Sequence, residues 1–414
     1  MRRLPLALAA ALALCACETV PDADPDSATT RTVVARPRAL PPVPPIVTRP
    51  PPPVTDAPVE PTVERPSRFA ALEGWAKADL APALSAFRLS CQTWTDADPE
   101  APLSPRLPQY GTFADWALPC AAAALADDPR TFFEAEFAPV ALSTPDEDAG
   151  LLTGYYEPVV PVRRVPGDGF TEPVLAVPDD PAVQRLPRAE LGPTSSRVIA
   201  YGRPADVFFM QVQGSGRLRF NDGLSLRAAY AGHNSKPYTS IGGVLIRRGE
   251  LTRDTASKAS IERWMRDNGP EATRELMNAN ARYIFFEEQA VPDTPGGTGP
   301  RGAMRVPLTD MGSIALDPRY HPYGTVAFLQ TRLPRRKGDF RAAPASLLVV
   351  GQDTGGAIKG PLRADLFFGS GDEAGDLAGV MKHPVRWTLL LPRAIAPSDA
   401  SVAMLGAGEG ETAP

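Results

Sequence analysis

Histidine and cysteine are scarce in this chain, with three histidines and four cysteines among 414 residues. The histidines are scattered, and no combination of His and Cys has the spacing of zinc ligands. Metal sites that use nitrogen and sulfur ligands need such clusters. The sequence therefore predicts neither a metal site nor a bound cofactor.

An excess of positive charge is also missing, because 43 Lys and Arg residues face 48 Asp and Glu residues, which gives a net charge of -5. Domains that bind the phosphate backbone of nucleic acids are usually basic, so we expect no nucleic-acid partner. Hydrophobic residues at 43% and charged residues at 22% are typical of a globular protein. The length favours two domains, or one domain with a large insertion.

The N-terminus has no apolar run long enough for a permanent membrane helix. In "MRRLPLALAAALALCAC" a short basic start precedes a Leu- and Ala-rich run that ends at Leu14, which is typical of a secretory signal. A bacterial lipobox has an aliphatic residue three positions before its cysteine and a small residue directly before it. Cys17 has this context and Cys15 fits less well. We expect residues 1–17 to be a lipoprotein signal with lipidation at Cys17, and simple secretion is the alternative.

Proline, in contrast, is abundant, with 48 residues that cluster after the signal. Residues 18–66, with "PPVPPIVTRPPPPV" at their centre, cannot bury a core and favour an extended polyproline II conformation. We interpret them as a disordered stalk, a passive spacer rather than a ligand for a proline-binding module. Residues 396–414 are predicted to be a disordered tail.

Helical patterns begin directly after the stalk. Apolar residues at helical spacing run through residues 67–91, and in "ADDPRTFFEAEF" Asp128 before Pro129 marks a helix start. The period then changes, and "GLLTGYYEPVVPVRR" and "ADVFFMQVQGSGRLRFNDG" are interpreted as strands. Helices are predicted again for "IGGVLIRRGEL", "ASIERWMRDN" and "PEATRELMNAN", followed by further short strands. This pattern predicts an α+β, β-rich fold.

Two cysteines remain after the signal, Cys91 and Cys120. In an oxidising compartment they can form a disulfide. The alternative is that each is a small buried apolar residue.

Amide and aromatic side chains near one predicted turn suit a carbohydrate ligand. In the strand interpretation of "FFMQVQGSG", Phe208, Met210 and Val212 share one face while Gln211 and Gln213 share the other. Amides satisfy hydroxyl groups as donor and as acceptor, although strand alternation alone also predicts polar residues there. The aromatic candidates to pack on sugar rings, each with ordinary packing as its alternative, are Tyr155, Tyr156, Tyr238 and Trp387.

Three aspartates lie where an apolar strand meets a loop: Asp317 after "SIAL", Asp353 after "LLVVGQ" and Asp365 before "LFF". A single aspartate at a turn is ordinarily structural. The three together, with Gly355 and Gly356 allowing close approach of the backbone to a ligand, predict a constructed site.

One of these aspartates belongs to an Asp-Thr-Gly tripeptide, which also carries the catalytic carboxylate of aspartic proteases. Those enzymes need two carboxylates that share a proton. The chain has one such tripeptide, so only a homodimeric protease remains as a formal alternative.

The aspartate segments resemble those of the MltA family, the membrane-bound lytic murein transglycosylases. The matching segments are "GSIALDPRYHPYGT", "QDTGGAIKG" and "RADLFFGSG". Other blocks similar to this family are "GYYEP", "FFMQVQGSGRLRF", "YAGHNSKPYTSIGGVLI" and "DEAGDLAG". The resemblance runs in order from about Leu151 to Leu391 and includes the lipoprotein start.

The resemblance implies a double-psi β-barrel domain with an inserted second β-barrel-like domain and a groove between them. The expected catalytic domain comprises residues 67–155 and 245–395, with helices at its N-terminal end, and the expected glycan-binding insertion comprises residues 156–244. Asp365 matches the family's catalytic acid, and we expect Phe367 and Phe368 to bury it. Asp353 and Asp317 match supporting positions. The candidate substrate-binding residues are Tyr155, Gln211, Gln213, Ser215, Tyr238, Gly355, Gly356, Lys359 and Gly371.

The implied activity is that of a peptidoglycan lytic exotransglycosylase that leaves a 1,6-anhydromuramic acid end by means of a single aspartate. The alternatives are a non-catalytic peptidoglycan-binding barrel and a two-acid muramidase. The expected partners are peptidoglycan glycan strands, a membrane bound through the N-terminal lipid anchor, and a cell-wall synthesis or division complex. The expected location is the periplasm, with the anchor in the outer membrane.

Overall fold

The computed structural model describes residues 62–253, 255–291 and 299–397. The signal at residues 1–17, the lipidation at Cys17 and nearly all of the stalk and tail lie outside the described residues and stay predictions. No helix in the described part of the chain combines the length and apolar character needed to cross a membrane.

The described segments contain eight α helices and fourteen strands. The helices are α1 Ala81–Gln92, α2 Phe113–Leu125, α3 Pro129–Glu136, α4 Pro181–Gln184, α5 Pro204–Gln213, α6 Ile241–Arg247, α7 Lys258–Asn278 and α8 Asp372–Ala378. The strands are β1 Thr62–Pro66, β2 Phe137–Ser143, β3 Gly150–Glu157, β4 Val159–Arg163, β5 Glu172–Leu175, β6 Val198–Gly202, β7 Gly216–Phe220, β8 Ser225–His233, β9 Ile284–Ala290, β10 Ser313–Ala315, β11 Val326–Leu333, β12 Ala343–Asp353, β13 Arg363–Ser370 and β14 Lys382–Pro392.

The first sheet has eight strands in the order β1-β2-β14-β11-β12-β10-β13-β3, and a further pairing of β14 with β3 closes the six strands from β14 to β3 into a barrel. Closure leaves these six strands without a free edge, while β2 and β1 extend the sheet from β14 outside the ring. Strands β3 and β13 pair in parallel although they lie on opposite sides of the inserted domain in the sequence. This pairing brings "GLLTGYYE" beside "RADLFFGS", which is the arrangement that builds the site. Residues 62–66, predicted to be stalk, are instead β1, because their backbone pairs with β2.

Helices α1, α2 and α3 cover one face of this barrel. Of the helical pattern predicted for residues 67–91, only the part in α1 is α-helical, and the earlier part forms two short 3-10 helices; α2 was not predicted. Phe87 of α1 contacts Trp116 and Phe137 at ring-centroid distances of 6.3 and 5.5 Å, and all three side chains are fully buried. The Gln352 amide of β12 donates hydrogen bonds to the Ala86 carbonyl and the Ser90 hydroxyl at 2.7 and 2.9 Å. The helices are therefore joined to the strand that carries Asp353.

Cys91 of α1 and Cys120 of α2 form a disulfide, with Cα atoms 5.5 Å apart and a sequence separation of 29. In the chain-entropy model, a closed loop of this size lowers the conformational entropy of the unfolded chain and so raises the free energy of unfolding by ~3–4 kcal/mol. We expect the Cys91→Ser, Cys120→Ser double variant to lose about this much unfolding free energy in urea denaturation. Dithiothreitol should destabilise the wild type and leave the double variant unaffected, and equal sensitivity of both proteins would contradict the prediction.

The second sheet has six strands in the order β5-β6-β4-β7-β8-β9 and spans residues 159–290. The predicted insertion ended at residue 244, which would separate β9 from this domain. That boundary is wrong because β9 pairs along its whole length with β8. The helical stretch between the two strands, α6 and α7, is part of the insertion.

The segment at residues 204–213 was predicted to be a strand and is helix α5. Pro204 occupies the first helical turn, Asp206 lies in that turn, and Gly214 ends the helix with φ 89°, all of which favour a helix. Val207 and Met210 pack against the second sheet, whereas Phe208 and Phe209 pack against α6 and α7. A helix buried on both sides has no polar face to reveal its period.

The other predicted helices are present. Asp128 caps α3 by accepting a hydrogen bond from the Thr131 backbone N–H at 2.6 Å. The two predicted helices "ASIERWMRDN" and "PEATRELMNAN" are the halves of α7. They are separated at Gly269, whose φ of 81° is non-helical, directly before Pro270.

Candidate active site

Two of the three aspartates face the same side of the barrel wall. Strand β10 lies between β12 and β13, and its Ala315 is paired with Asp353 on one side and with Asp365 on the other. Directly paired residues project to the same face of a sheet. Two strand spacings separate the Asp353 and Asp365 Cα atoms by roughly 9–10 Å.

Asp365 is a carboxyl group adapted to hold a proton. The Thr153 hydroxyl on the paired strand β3 donates a hydrogen bond to its Oδ1 atom at 2.5 Å. Burial raises the pKa of Asp365 from 3.8 to about 6, against the lowering effects of the Thr153 hydrogen bond and the Arg363 charge, and the Asp353 charge raises it further. A carboxyl group with this pKa is matched to general acid chemistry near neutral pH.

An apolar cluster lies beside Asp365. Tyr155, Ala315 and Phe367 form a buried cluster with Leu308 and Ile358, and the Tyr155 and Phe367 rings lie 5.3 Å apart. Phe367, two residues after Asp365, shares its face. Phe368 was also expected to bury Asp365, but it packs into the main barrel core because successive strand residues face opposite sides.

Asp353 holds the neighbouring loop beside this cluster. Its Oδ2 atom accepts a hydrogen bond from the Tyr155 hydroxyl at 3.0 Å, and its Oδ1 atom accepts one from the Ala303 backbone N–H at 2.9 Å. Burial raises the pKa of Asp353 despite hydrogen bonds that lower it from Thr354, Ala303 and Tyr155. Both oxygens are therefore engaged by the protein.

Asp317 is a fully buried carboxylate. It accepts hydrogen bonds from the Arg319 guanidinium, the shortest at 2.6 Å to Oδ2, and from the Gly360 backbone N–H at 2.9 Å. Burial acts to raise the pKa of Asp317, but the hydrogen bonds from Arg319 and Gly360 outweigh it and hold the pKa below its ordinary value. A charged carboxylate in these contacts ties the end of β10 to the loop before β13.

The two predicted glutamines do not form a polar pair facing a glycan. Gln211 is only 3% exposed inside the second domain, so its assignment to substrate binding is wrong, and the cause is the helix in place of a strand. Gln213 lies where the two domains meet, and its Oε1 atom accepts a hydrogen bond from the Tyr156 backbone N–H at 3.0 Å. Ser215 follows it and is buried. Tyr238 is partly exposed in the loop before α6.

The glycine-rich loop between β12 and β13 lies beside the second domain. Gly355, Gly356 and Lys359 belong to this loop, and a Cβ atom at Gly356 would lie 3.3 Å from the Arg282 Nη1 atom. Gly371, with φ 89°, donates its backbone N–H to the Glu157 carbonyl at 2.9 Å. Glycine therefore serves close approach at residue 356 and a left-handed backbone at residue 371.

Two aromatic candidates are core residues. Trp387 is 2% exposed and stacks on His321 at a ring-centroid distance of 5.3 Å. Tyr156 is also buried, and a Cβ atom at Gly375 of α8 would lie 2.6 Å from its ring. Ordinary packing, the alternative for each, is what the structure has.

Sequence reasoning did not select the ionic network that joins the two sheets. Glu157, at the end of β3, is fully buried and accepts hydrogen bonds from Arg217 of β7 and Arg227 of β8 at 2.7 and 2.5 Å. The Oε2 atom of Glu157 also accepts a hydrogen bond from the Ser370 hydroxyl of β13 at 2.7 Å. The only sequence signal was that Glu157 is the fourth residue of the quoted block "GYYEP".

The barrel segment that carries the three aspartates places this chain in the class of proteins with a 3D domain, and the second β domain interrupts that barrel in the sequence. The family model "3D domain" matches residues 312–391, and the model "MltA specific insert domain" matches residues 187–287. These ranges fall on the barrel segment with the three aspartates and on the second sheet with its helices.

Two curated relatives place the chain within this class. It is 34% identical to "Membrane-bound lytic murein transglycosylase A" of Vibrio cholerae over 284 residues. This aligned region covers 67% of this chain and 73% of the relative. It is 38% identical over 245 residues to the protein of the same name from Escherichia coli K12, covering 58% of this chain and 65% of that relative. The chain belongs to the MltA family.

A solved relative has the same fold. The crystal structure of E. coli MltA with bound chitohexaose superposes with a TM-score of 0.60 at 26% identity, covering 82% of this chain and 95% of that chain. This likeness, together with the two β sheets, confirms the predicted fold class of a double-psi barrel with a second β domain.

Proposed function

We propose that this protein is a lytic murein transglycosylase that cleaves the β-1,4 bond between N-acetylmuramic acid and N-acetylglucosamine. The observation that carries the proposal is the Asp365 carboxyl group, whose pKa is raised to about 6 by burial beside an apolar cluster. The names of the curated relatives and the oligosaccharide in the E. coli MltA structure support the substrate class.

In the proposed mechanism one carboxyl group performs both proton transfers. Protonated Asp365 gives its proton to the glycosidic oxygen as the bond from that oxygen to C1 of N-acetylmuramic acid breaks. The C6 hydroxyl of the same sugar bonds to C1, and the Asp365 carboxylate takes the hydroxyl proton. The products are a free N-acetylglucosamine 4-hydroxyl group and a 1,6-anhydro ring, and Asp365 is protonated again.

The cyclisation needs no water and no second carboxylate. A well-oriented intramolecular nucleophile reaches an effective concentration on the order of 10⁵ M or more, far above that of water. Glycosidases that use a pair of carboxyl groups need the second one free to act on water or on C1. Asp353 is the nearest candidate, and both of its oxygens are engaged by Tyr155 and Ala303, which disfavours the two-acid muramidase.

Asp353 and Asp317 support the site in this proposal, and the exposed face of the glycine-rich loop contributes to glycan binding. At the N-terminus, we propose that a lipid anchor at Cys17 holds the enzyme in the periplasm at the outer membrane. The word "membrane-bound" in the relatives' names supports membrane association. A cell-wall synthesis or division complex remains a candidate partner.

The test is the chemistry of the new chain ends. Full-length protein is incubated with purified murein sacculi in ¹⁸O-labelled water, and the soluble fragments are analysed by mass spectrometry. We expect 1,6-anhydro ends that are lighter than reducing ends by one water and carry no ¹⁸O. Labelled reducing ends would establish a two-acid muramidase, and binding to sacculi without any fragments would establish a non-catalytic barrel.

A further inference from the structure

Arg363 lies two residues before Asp365 on β13 and reaches the same hydrogen-bond network. Its Nη2 atom donates to the Thr153 hydroxyl oxygen at 2.8 Å. Its Nη1 atom donates to the backbone carbonyls of Leu151, at 3.3 Å, and Ala364. Contacts to three acceptors from both β3 and β13 fix the guanidinium beside the acid.

This arrangement sets the direction of the hydrogen bond between Thr153 and Asp365. A guanidinium group has only donors, so the Thr153 oxygen must accept from Arg363. The single hydroxyl proton of Thr153 is then directed to the Asp365 Oδ1 atom, 2.5 Å away. Thr153 cannot turn to accept a proton carried on Oδ1 without losing its donor contact.

We propose that Arg363 is a positioning residue that acts through Thr153 to keep Oδ1 of Asp365 as a hydrogen-bond acceptor and so place the transferable proton on Oδ2. The inference rests on the proposed function. A carboxyl group with one committed oxygen presents its proton from a single atom in a fixed direction, which is what transfer to one glycosidic oxygen requires.

The charges around Asp365 explain why this relay also tunes the acid. Arg363 on the same strand and the Thr153 hydrogen bond from β3 both favour the carboxylate, whereas the Asp353 charge on β12 and burial favour the protonated form. The Tyr155 hydroxyl on β3 is held neutral, because burial and the charges of Asp353 and Asp365 raise its pKa well above the ordinary value. From β10 the paired residue is Ala315, which carries no charge.

The test compares Thr153→Val and Arg363→Met with wild type in full-length protein, using fragment release from sacculi across pH. The acid must be protonated to react, so activity is lost as pH rises through its pKa. Thr153→Val removes the hydrogen bond to the carboxylate, and Arg363→Met removes the nearby positive charge together with the contact that orients Thr153. We expect this alkaline limb to move up by about one pH unit in both variants. We further expect kcat to fall about tenfold with KM little changed, and Thr153→Ser to restore the wild-type limb.

Matched controls separate this role from a structural one. Arg332 also donates to two backbone carbonyls, at 2.8 and 2.7 Å, but lies on β11, so Arg332→Met should leave the alkaline limb in place. An unmoved limb in folded, active Thr153→Val and Arg363→Met variants would overturn the inference and leave the proposed function intact. Absence of anhydro products from the wild type would overturn the proposed function, and a ¹³C titration of the Asp365 carboxyl in each variant would still decide the relay.

Discussion

Replacing Asp365 with asparagine is expected to lower the release of murein fragments by at least about 100-fold, the lower range for loss of a general acid. Asparagine has nearly the same shape as aspartate, and its carbonyl oxygen still accepts a hydrogen bond from Thr153. The variant lacks only the proton that the reaction needs. Binding to sacculi should therefore be retained while anhydro ends disappear in the mass spectra.

The pH dependence of the unfolding free energy provides a second, independent test of the raised Asp365 pKa. Because the folded pKa of Asp365, about 6, exceeds its ordinary value of 3.8, its contribution to stability is fully present below about pH 4 and is lost as pH rises to about 6. Asparagine removes this dependence. We expect Asp365→Asn to unfold at no lower a urea concentration than wild type at pH 8.

A suitable control is Asp376→Asn on α8, where the aspartate pairs with the exposed Lys337 at 2.8 Å. This change should leave fragment release within about twofold of wild type, since surface ion pairs contribute little. Retained activity of folded Asp365→Asn would contradict the mechanism in which Asp365 is the single acid, and Asp353 would then be the alternative proton donor.

The group of three aspartates was predictable because its signal is local, whereas the choice of Asp365 as the acid came from the resemblance to the MltA family and stays a prediction. Asp365, Asp353 and Asp317 each end or begin a strand in the sequence, and their loops carry the glycines that approach other groups. Strand ends and turn chemistry depend on a few consecutive residues, which a sequence displays directly. The relay of Arg363 and Thr153 was not predictable in this way, because it exists only where β13 and β3 pair in parallel across an inserted domain.

The errors have a common physical origin in burial on more than one side. Helix α5 lies between the second sheet and α6 with α7, so its apolar residues showed no helical period and Gln211 was assigned to an open face. The domain boundary failed for a related reason. Strand β9 follows two helices, and only its pairing with β8 shows that it belongs to the insertion.

Glu157 gives the second large expected effect, a loss of stability. Its side chain is fully buried and forms salt bridges with Arg227 and Arg217, whose side chains are 4% and 26% exposed. Removing one member of a buried ion pair typically costs about 3–5 kcal/mol, because the partner charge is left without compensation in a poorly solvated place. We expect Glu157→Ala to lose unfolding free energy of this size in urea denaturation.

The surface pair of Arg164 and Asp222, at 3.2 Å with both side chains more than half exposed, provides the comparison within the second domain. Asp222→Ala should have a much smaller effect, since water solvates the remaining arginine. Replacing Glu157, Arg217 and Arg227 together with Leu, Met and Met should recover part of the loss, because no buried charge then remains. Equal destabilisation by Glu157→Ala and Asp222→Ala would mean that the network is not what holds the two sheets together.

The same contacts connect stability to the site. Glu157 lies on β3, four residues after Thr153, and Ser370 lies on β13, five residues after Asp365, so the network fixes the far ends of the two strands that form the acid relay. A Glu157→Ala variant kept well below its unfolding temperature should therefore still make anhydro ends, with kcat reduced less than in Asp365→Asn. Loss of all activity in a demonstrably folded variant would place Glu157 in the catalytic machinery rather than in its support.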